Sequence, residues 1–371
     1  MNSIDEWYKV KNSEDVISPS LLVYPDRVKK NIELMVSMAG GTADLRPHIK
    51  THKIAEIVEL QMGYGIDKFK CATIAEMELL AKCGAPDILL AMQPVGINVV
   101  RFFNLLEQYP NSLFSTLVDN QASIKEMADL AEAKQVTVSI WLDINNGMNR
   151  TGVRPGNEAI EMYKSIDASP FLNARGLHVY DGHIHESDFE QRKIRCESDF
   201  EPVLKLKSDL ESSGIKVERI VAGGTPTFPI HLTRKNVETS PGTPLLWDQG
   251  YAEMFPDLNF LSAAVLLTRV VSQPETGLVC FDLGHKSVAS EMNLPRVKFL
   301  GGSAARQISQ SEEHLVVETN EIEKFNIGSV HYAVPFHVCP TVAKYKNARL
   351  VNNGEINDAW EVAARDHEDL D

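Results

Sequence analysis

From Leu45 to about Leu246, short β-type runs alternate with amphipathic helical stretches, and few folds accommodate that pattern. The β-type runs are Leu45–Ile49, Lys68–Ala72, Ile88–Met92, Leu113–Val118, Thr137–Asp143, Arg175–Tyr180, Arg219–Ala222 and Thr243–Leu246. Alternating strands and helices imply a parallel sheet, and eight such units close a barrel in about 200–250 residues. No G-x-G-x-x-G follows any run, which disfavours an open dinucleotide-binding sheet. We therefore predict an α/β fold with a (β/α)8 TIM-type barrel.

The character of the sequence changes after about Pro256. Short β-type runs then follow one another without a long helical stripe; they are Val265–Val271, Leu278–Asp282, Val297–Leu300, His314–Glu318, Ser329–Val334 and Arg349–Val351. This pattern predicts a mostly-β C-terminal domain. We place the barrel at residues 25–255 and the β domain at residues 1–24 and 256–371. We expect the acidic end, Arg365–Asp371, to fray.

Charge and composition exclude several function classes. Lys and Arg number 37 and Asp and Glu number 51, so the net charge is −14. An acidic chain without a basic block repels phosphate backbones, so nucleic acid is not an expected partner. No apolar run approaches the ~20 residues that cross a bilayer, and residues 1–20 lack a signal-peptide apolar region. We expect a cytoplasmic enzyme without a membrane partner. The five cysteines are widely spaced, which argues against a disulfide framework.

The first chemically unusual segment follows the first predicted strand, and parallel barrels build their active sites at strand ends. There Lys50 lies between His48 and His52. A desolvated lysine near other cations has a lowered pKa and a nucleophilic amine, which Schiff-base chemistry requires. We therefore predict a catalytic role for Lys50, whereas Lys53 is interpreted as an exposed side chain.

Three further strand ends offer contacts to an anionic or aromatic molecule. Gly223, Gly224 and Thr225 close the seventh run, where two glycines let backbone N–H groups turn toward an anion, or simply form a tight turn. Arg150 follows the fifth run and can pair with a phenolate or carboxylate, or form a structural salt bridge. Tyr180 ends the sixth run and can bind a ring nitrogen, stack on a cofactor, or be satisfied locally.

Two pairs of side chains resemble metal ligands. His183 and His185 lie two residues apart, and so do His337 and Cys339. Positions i and i+2 of a strand project from the same face, so either pair can grip one ion. Imidazole with thiolate suits Zn²⁺, and two protein ligands leave the open positions that a catalytic metal needs. The alternative for the second pair is a buried histidine beside a packing cysteine.

Together these segments resemble the D-threonine aldolase and D-serine dehydratase-like family of pyridoxal-phosphate enzymes, which have an alanine racemase-type barrel. The segments that carry the resemblance, in the family's order, are Arg46–Lys53, Asn149–Gly152, Tyr180–His183, Gly223–Thr225, Asp282–Lys286 and His337–Cys339. The resemblance extends from about Ser18 to Arg365. The chain departs from the family at His285 and at Pro244–Trp247, so the substrate stays open.

The resemblance implies a cofactor site in the barrel. Lys50 would bind pyridoxal 5′-phosphate covalently, Arg150 would contact the phenolic oxygen of its ring, and Tyr180 would contact the ring nitrogen. The loop Gly223–Thr225 would hold the phosphate.

The resemblance also implies a metal and a partner. His337 and Cys339 would bind a divalent ion, zinc or manganese, supplied by the β domain, and the first histidine pair would be secondary. The expected partners are a small D-amino acid substrate and a second copy of the chain, in a homodimer with shared active sites.

Two reactions fit such a site. If His48, His52 or a metal-bound water takes the hydroxyl proton of a D-3-hydroxy amino acid, the Cα–Cβ bond breaks and glycine plus an aldehyde form. If Lys50 instead takes the α-proton, hydroxide leaves, and a 2-oxo acid plus ammonia form. We place the aldolase first and the dehydratase second, although a thiolate ligand leans toward the latter. A zinc hydrolase barrel and a non-catalytic pyridoxal-phosphate protein are the alternatives from other classes.

Overall fold

A computed structural model describes residues 6–302 and 305–370 of the chain. These residues form two compact units. The first, called the β unit, comprises residues 6–34, 51–57, 243–302 and 305–366, and the second, called the barrel unit, comprises residues 35–50, 58–242 and 367–370. The predicted domain boundaries, 24/25 and 255/256, stay a prediction, because the units describe compactness rather than independent folding.

Strands and helices are numbered separately in chain order. The strands are β1 Ser20–Val23, β2 Lys68–Cys71, β3 Asp87–Leu90, β4 Leu113–Val118, β5 Val138–Ile144, β6 Leu172–Val179, β7 Arg219–Ala222, β8 Val237–Thr239, β9 Ala264–Ser272, β10 Leu278–Phe281, β11 Val297–Phe299, β12 Arg306–Gln310, β13 Leu315–Glu318, β14 Val330–Pro335, β15 Asn347–Asn352 and β16 Glu355–Glu361. The α-helices are α1 Pro25–Met38, α2 Ala55–Gly63, α3 Ile74–Lys82, α4 Ile97–Gln108, α5 Gln121–Lys134, α6 Asn157–Asp167, α7 Phe189–Ser212, α8 Phe228–His231, α9 Gln249–Met254 and α10 Val338–Val342.

The barrel unit is built on a parallel sheet. Strands β2 to β8 pair side by side in chain order, and every neighbouring pair is parallel. Leu45 forms an isolated parallel bridge to Thr239, and His48 forms one to Lys70. Residues 45–48 therefore stand between β8 and β2, in the place of the eighth strand. The predicted (β/α)8 barrel fold is confirmed.

Helices of the barrel unit begin where the sequence supplies a cap. The side chains of Thr73, Asn120 and Asp188 each accept the backbone N–H three residues further on, at the starts of α3, α5 and α7. Such caps satisfy one of the free N–H groups at a helix start and typically stabilise it by ~1 kcal/mol.

Two of the predicted strands need correction. The first run contributes only its two bridges, because the chain turns into a short 3-10 helix at Ile49–Thr51. The last run, Thr243–Leu246, is wrong as a strand, since Thr243–Leu245 also forms a 3-10 helix. Pro244 has no N–H to give to a strand ladder, and the eighth strand in the sequence is β8 instead.

The β unit is mostly β-structure, as predicted. Strand β1 lies between β9, to which it is antiparallel, and β15, to which it is parallel. The sheet continues in the order β12, β13, β10, β9, β1, β15, β16, and β14 pairs with both β9 and β11. Strands β12 and β16 were not predicted, because most of their residues are exposed and they lack an apolar run.

The C-terminal residues pack against the barrel unit. The Arg101 guanidinium donates to the Asp369 carboxylate at 2.5 Å, and the backbone N–H of Leu370 donates to Glu78 at 3.0 Å. The predicted fraying is therefore wrong for residues 369–370, whereas Asp371 lies outside the described residues. Within the described ranges, no helix combines the length and the apolar character needed to span a membrane.

A buried ionic cluster ties the segment at residues 45–48 to two strands. The Arg46 side chain is completely buried; its Nε donates to Glu238 at 2.7 Å, and its Nη1 donates to Asp87 at 2.7 Å. Glu238 belongs to β8 and Asp87 begins β3. Each ion would be costly to bury without its partners, so the three charges hold one another in place.

Removal of the Arg46 charge tests this cluster. We expect Arg46→Met to lower the free energy of unfolding by roughly 3–5 kcal/mol, because Glu238 would be left buried beside fewer cations. Urea denaturation measures the loss. The control is Arg306→Met, which breaks an exposed pair with Glu318 and should cost less than about 1 kcal/mol. Equal losses in the two variants would contradict the role of the cluster.

Candidate active site

Three predicted site residues meet around the ring of Tyr180, just beyond the end of β6. The Lys50 Nζ lies 5.6 Å from the ring centroid, and the guanidinium carbon of Arg150 lies 5.0 Å from it. Glycine turns flank the ring. A Cβ on Gly182 would stand 2.3 Å from Tyr180 Cε1, and one on Gly224 would stand 3.2 Å from Cε2. The lysine, the arginine and the glycine loop therefore converge on one aromatic side chain.

A hydrogen-bonded group beneath the glycine loop fixes its position. The Thr227 hydroxyl accepts the Gly224 N–H at 3.3 Å and donates to Asp181 at 2.8 Å. His231 Nε2 donates to the other oxygen of Asp181 at 2.8 Å. Gly223 leaves room for this group, because a Cβ there would stand 2.6 Å from the His231 ring.

Asp181, Cys196 and His231 also form the one cluster of three or more potential metal ligands found in the described parts of the chain. Their ligand atoms lie within 4.8 Å of one another, and all three residues are buried. Arg234 Nη1, however, donates to His231 Nδ1 at 3.1 Å. A guanidinium already offsets the carboxylate there and would repel a second cation, so we assign this cluster to holding the loop.

The loops after β7 and β8 meet beside the glycines. Thr225, which is buried, accepts the Gly242 N–H through its Oγ1 at 3.2 Å. Ser240 is 3% exposed, and its hydroxyl has no hydrogen-bond partner among the residues that the structure describes. A buried hydroxyl rarely stays unpaired in a native protein. The two loops thus offer a free donor where barrels often bind phosphate.

The segment that carries Lys50 is shaped by His48. The Lys50 backbone N–H donates to His48 Nδ1 at 3.2 Å, and the His48 N–H donates to the carbonyl of Pro241 at 3.0 Å. His48 is buried, whereas Lys50 is only partly buried. The contacts give His48 a positioning function, and its predicted role as a base stays a prediction.

His52 belongs to the β unit and is completely buried. Its Nδ1 accepts the Ile54 N–H at 3.1 Å, and burial lowers the pKa of His52 to about 3. A side chain with that pKa is a weak proton acceptor at neutral pH. Its predicted role as a base is not supported by this environment, and it stays a prediction.

Sequence reasoning missed a buried lysine in the barrel unit. Lys70 of β2 is 3% exposed, and its Nζ lies 3.1 Å from His178 Nε2 and 5.7 Å from the Tyr180 ring centroid. His178 Nδ1 lies 2.7 Å from Asp143. Burial lowers the pKa of Lys70 to about 7, and the charge of Lys50 adds to that effect. A lysine inside a β-type run was the available signal.

His337 and Cys339 lie in the β unit, but not on a strand. Strand β14 ends at Pro335, His337 caps the short helix α10, and Cys339 lies inside that helix, so the predicted strand geometry is wrong. A hydrogen bond still joins the two side chains. Burial alone would lower the pKa of His337, but Cys339 and Glu291 raise it to about 9.

Glu291, which the sequence did not indicate, hydrogen-bonds to His337 Nδ1. A carboxylate on that nitrogen orients the imidazole, and Nε2 can bind an ion after it releases its proton, as a metal-binding histidine must. The Cys339 thiol donates to the Thr51 hydroxyl at 3.3 Å. The group therefore offers one imidazole nitrogen and one sulfur to an ion.

The other predicted pair does not come together as a set of ligands. His183 Nε2 bonds to Asp199 at 2.8 Å, whereas His185 is exposed beyond the turn. Asp199 also accepts from Arg195. His183 is therefore engaged in a hydrogen bond with Asp199 in the barrel unit.

Known proteins resemble the chain along most of its length. The family model for the alanine racemase N-terminal domain matches residues 23–246, and that for the serine dehydratase domain matches residues 263–351. D-threonine aldolase of Arthrobacter sp is 25% identical over 94% of this chain and 93% of its own. D-serine dehydratase of Dictyostelium discoideum is 25% identical over 92% of this chain and 96% of its own. The crystal structure of D-threonine aldolase from Filomicrobium marinum, also 25% identical, superposes with a TM-score of 0.88 over 95% of this chain and 96% of that one.

The first family match covers more than half of the chain. The chain therefore belongs to the alanine racemase N-terminal domain family, and the predicted resemblance is confirmed. It is an enzyme of the lyase type that the aldolases and dehydratases among its relatives represent.

The environment of His52 predicts how stability depends on pH. The folded-state pKa, about 3, lies below the ordinary value of 6.5, so the unfolded chain binds the extra proton first as the pH falls. Stability attributable to neutral His52 is complete above pH 6.5 and is lost progressively from there down to about pH 3. In His52→Asn, the new Oδ1 can still accept the Ile54 N–H. Between pH 6.5 and pH 5, we expect the free energy of unfolding of this variant to fall by about 1.5 kcal/mol less than that of the wild type.

Urea denaturation at the two pH values measures this difference. The matched control, His314→Asn, changes an exposed histidine and should follow the wild type. A His52→Asn curve parallel to the wild-type curve would show that His52 is not the buried neutral group described here.

Proposed function

We propose that this enzyme is a lyase for small D-3-hydroxy amino acids that depends on pyridoxal 5′-phosphate and a divalent metal, of the D-threonine aldolase type. It would cleave the Cα–Cβ bond to give glycine and an aldehyde. The observation that carries the proposal is the convergence of Lys50, Arg150 and the glycine loop on Tyr180. The relatives named as aldolases support the choice of reaction.

The residues present fit the cofactor. Ser240 supplies a buried hydroxyl without a partner among the described residues, beside the loop of Gly223 and Gly224. A phosphate would accept a hydrogen bond from such a donor. When bound, pyridoxal phosphate supplies an aldehyde for an amine and an electron sink for the bond that breaks at Cα.

The chain's own groups then perform simple tasks. Lys50 Nζ would hold the aldehyde carbon, and His48 fixes the backbone from which Lys50 extends. Arg150 presents a permanent positive charge to a phenolic oxygen, since a guanidinium does not lose its proton in proteins. Tyr180 would contact the ring nitrogen through a neutral phenol, which leaves that nitrogen less charged than an acidic partner would.

The metal is proposed to be zinc or manganese, held by His337 and Cys339. The Glu291 contact orients the imidazole, and thiolate with imidazole is a donor set that suits Zn²⁺. Such an ion would supply a Lewis acid for the substrate hydroxyl. That the enzyme forms a homodimer with shared active sites and takes D-amino acids stays a prediction.

One observation favours a second candidate, a D-serine dehydratase-type reaction to a 2-oxo acid and ammonia. Cys339 would give the ion a soft thiolate ligand, which favours zinc, an ion suited to carrying hydroxide away from carbon. The dehydratase among the relatives matches the chain as extensively as the aldolase does.

Substitution of Lys50 and Ser240 tests the cofactor site. With pyridoxal phosphate added, the wild type should change the absorbance spectrum of the cofactor and keep the cofactor after borohydride reduction. Lys50→Ala should do neither, because the amine is gone. Ser240→Ala should bind the cofactor at least about tenfold more weakly, since a hydrogen bond to a charged group contributes about 1.5–3 kcal/mol.

Lys53→Ala is the matched control for the lysine, because that amine donates to the Ala364 carbonyl within the β unit and the cofactor should bind normally. A wild type that does not keep the cofactor after reduction, or a Lys50→Ala protein that still fixes it, would remove the pyridoxal assignment.

Products and metal content decide between the two reactions. We expect D-threonine to give glycine and acetaldehyde, whereas ammonia with a 2-oxo acid would establish the dehydratase. Cys339→Ala should lose bound metal and at least about a hundredfold of activity, because loss of a ligand exceeds the 10–100-fold effect of losing an outer contact. For Glu291→Gln, we expect the loss of activity to lie within that range of about 10–100-fold.

Elemental analysis and a chelator complete the experiment, with Cys83→Ser as the cysteine control in the other unit. Full activity after complete metal removal would contradict the role given to His337 and Cys339.

A further inference from the structure

A second amine, Lys70, approaches the same aromatic ring as the amine that is proposed to bind the cofactor. Its Nζ and the Nζ of Lys50 are 5.7 and 5.6 Å from the centroid of the same Tyr180 ring. Unlike Lys50, Lys70 is almost completely buried. The barrel therefore keeps a lysine where a permanent positive charge is costly.

The hydrogen bonds of Lys70 define where its proton can move. Asp143 accepts only, so the His178 nitrogen 2.7 Å from it, Nδ1, carries a hydrogen. The other nitrogen, Nε2, then offers a lone pair to Lys70 Nζ at 3.1 Å. Gln93 donates to the second oxygen of Asp143 at 2.9 Å and keeps that carboxylate in place. The Lys70 amine and the His178 imidazole can therefore share one proton, and the Asp143 carboxylate next to the imidazole stabilises the positive charge.

The charges that face Lys70 have opposite signs. Two cations, Lys50 and Arg46, lower the pKa of Lys70, whereas two carboxylates, Asp143 and Asp181, raise it. Arg150 and Lys70 in turn lower the pKa of His178, after burial, which is the largest cause. With burial included, the pKa of Lys70 is about 7. Removal of the Lys50 charge removes one repulsion and raises that value.

We propose that Lys70, supported by His178 and Asp143, accepts the proton that Lys50 must release when its amine binds an aldehyde, and that it holds this proton while Lys50 is engaged. This inference rests on the proposed function. The Lys50 ammonium carries three hydrogens. Two leave with the aldehyde oxygen as water, the nitrogen lone pair forms the bond to carbon, and the third hydrogen passes as a proton to Lys70. No oxidant or reductant is needed.

Proton counting during cofactor binding tests the inference. Apo-protein is titrated with pyridoxal phosphate by calorimetry in buffers of different ionisation enthalpy, at pH 8 and pH 6. At pH 8 the wild type should release up to one proton per site fewer than Lys70→Met, because neutral Lys70 takes up that proton. At pH 6 Lys70 is already protonated, so the difference should vanish. The protons released or taken up by all other groups are the same in the two proteins, so they cancel in the difference between the wild type and Lys70→Met.

Lys70→Arg separates proton transfer from a purely electrostatic or structural role. Arginine keeps the charge but cannot accept a proton, so it should release the same extra proton at pH 8 as Lys70→Met. If Lys70→Arg behaves like the wild type, the inference is overturned. The arginine variant also serves alone should the methionine variant not fold. Lys125→Met, which removes an exposed lysine of α5 paired with Asp129, is the control and should match the wild type.

The two proposals fail differently. A wild type that does not keep pyridoxal phosphate after borohydride reduction contradicts the proposed function itself. A wild type that keeps the cofactor after reduction but releases as many protons as Lys70→Met at pH 8 contradicts the role of Lys70 alone.

Discussion

The buried ion cluster of Arg46 is the interaction on which the site depends. The chain at residues 45–48 makes only two isolated bridges to its neighbouring strands, so backbone pairing holds it weakly. The guanidinium compensates by binding Glu238 on one side and Asp87 on the other. Lys50 lies four residues after Arg46. The ion pairs of Arg46 therefore help to position the proposed nucleophile at the other end of this short segment.

A second constraint is the balance of charge around Tyr180. Three cations, Lys50, Lys70 and Arg150, approach one ring, each within 6 Å of its centroid. An aromatic face attracts cations, but it does not cancel their mutual repulsion. Asp143 and Asp181 supply the opposite charge, and both have a pKa held below its usual value by hydrogen bonds, although burial alone would raise it. Such a pocket is suited to an anionic molecule.

The periodic part of the fold could be predicted from the sequence, and the rest could not, for physical reasons. Buried parallel strands are apolar runs, so β2 to β7 were found. Segment Leu45–Ile49 was assigned as a full strand. The apolar pattern does not show that the ion pairs of Arg46, rather than a continuous set of backbone hydrogen bonds, hold this segment. The last barrel strand was misplaced at Thr243–Leu246. Ser240 was missed as a consequence, because only the correct position of β8 shows that this hydroxyl lies at a strand end, where barrels build their active sites.

Lys70 shows where reasoning from motifs reaches its limit. The histidine-flanked Lys50 attracted the prediction of a desolvated amine, yet the buried lysine is Lys70, and only the pairing of β2 with residues 45–48 brings it near the site. Its contacts with His178 and Asp143 come from strands more than seventy residues away in sequence. A proton can pass only to an acceptor within a few ångströms. The contact between Lys70 and His178, which no local sequence pattern encodes, therefore determines which amine can be neutral at neutral pH. The motif indicates the amine that is proposed to bind the cofactor, and the fold supplies the amine that is proposed to take its proton.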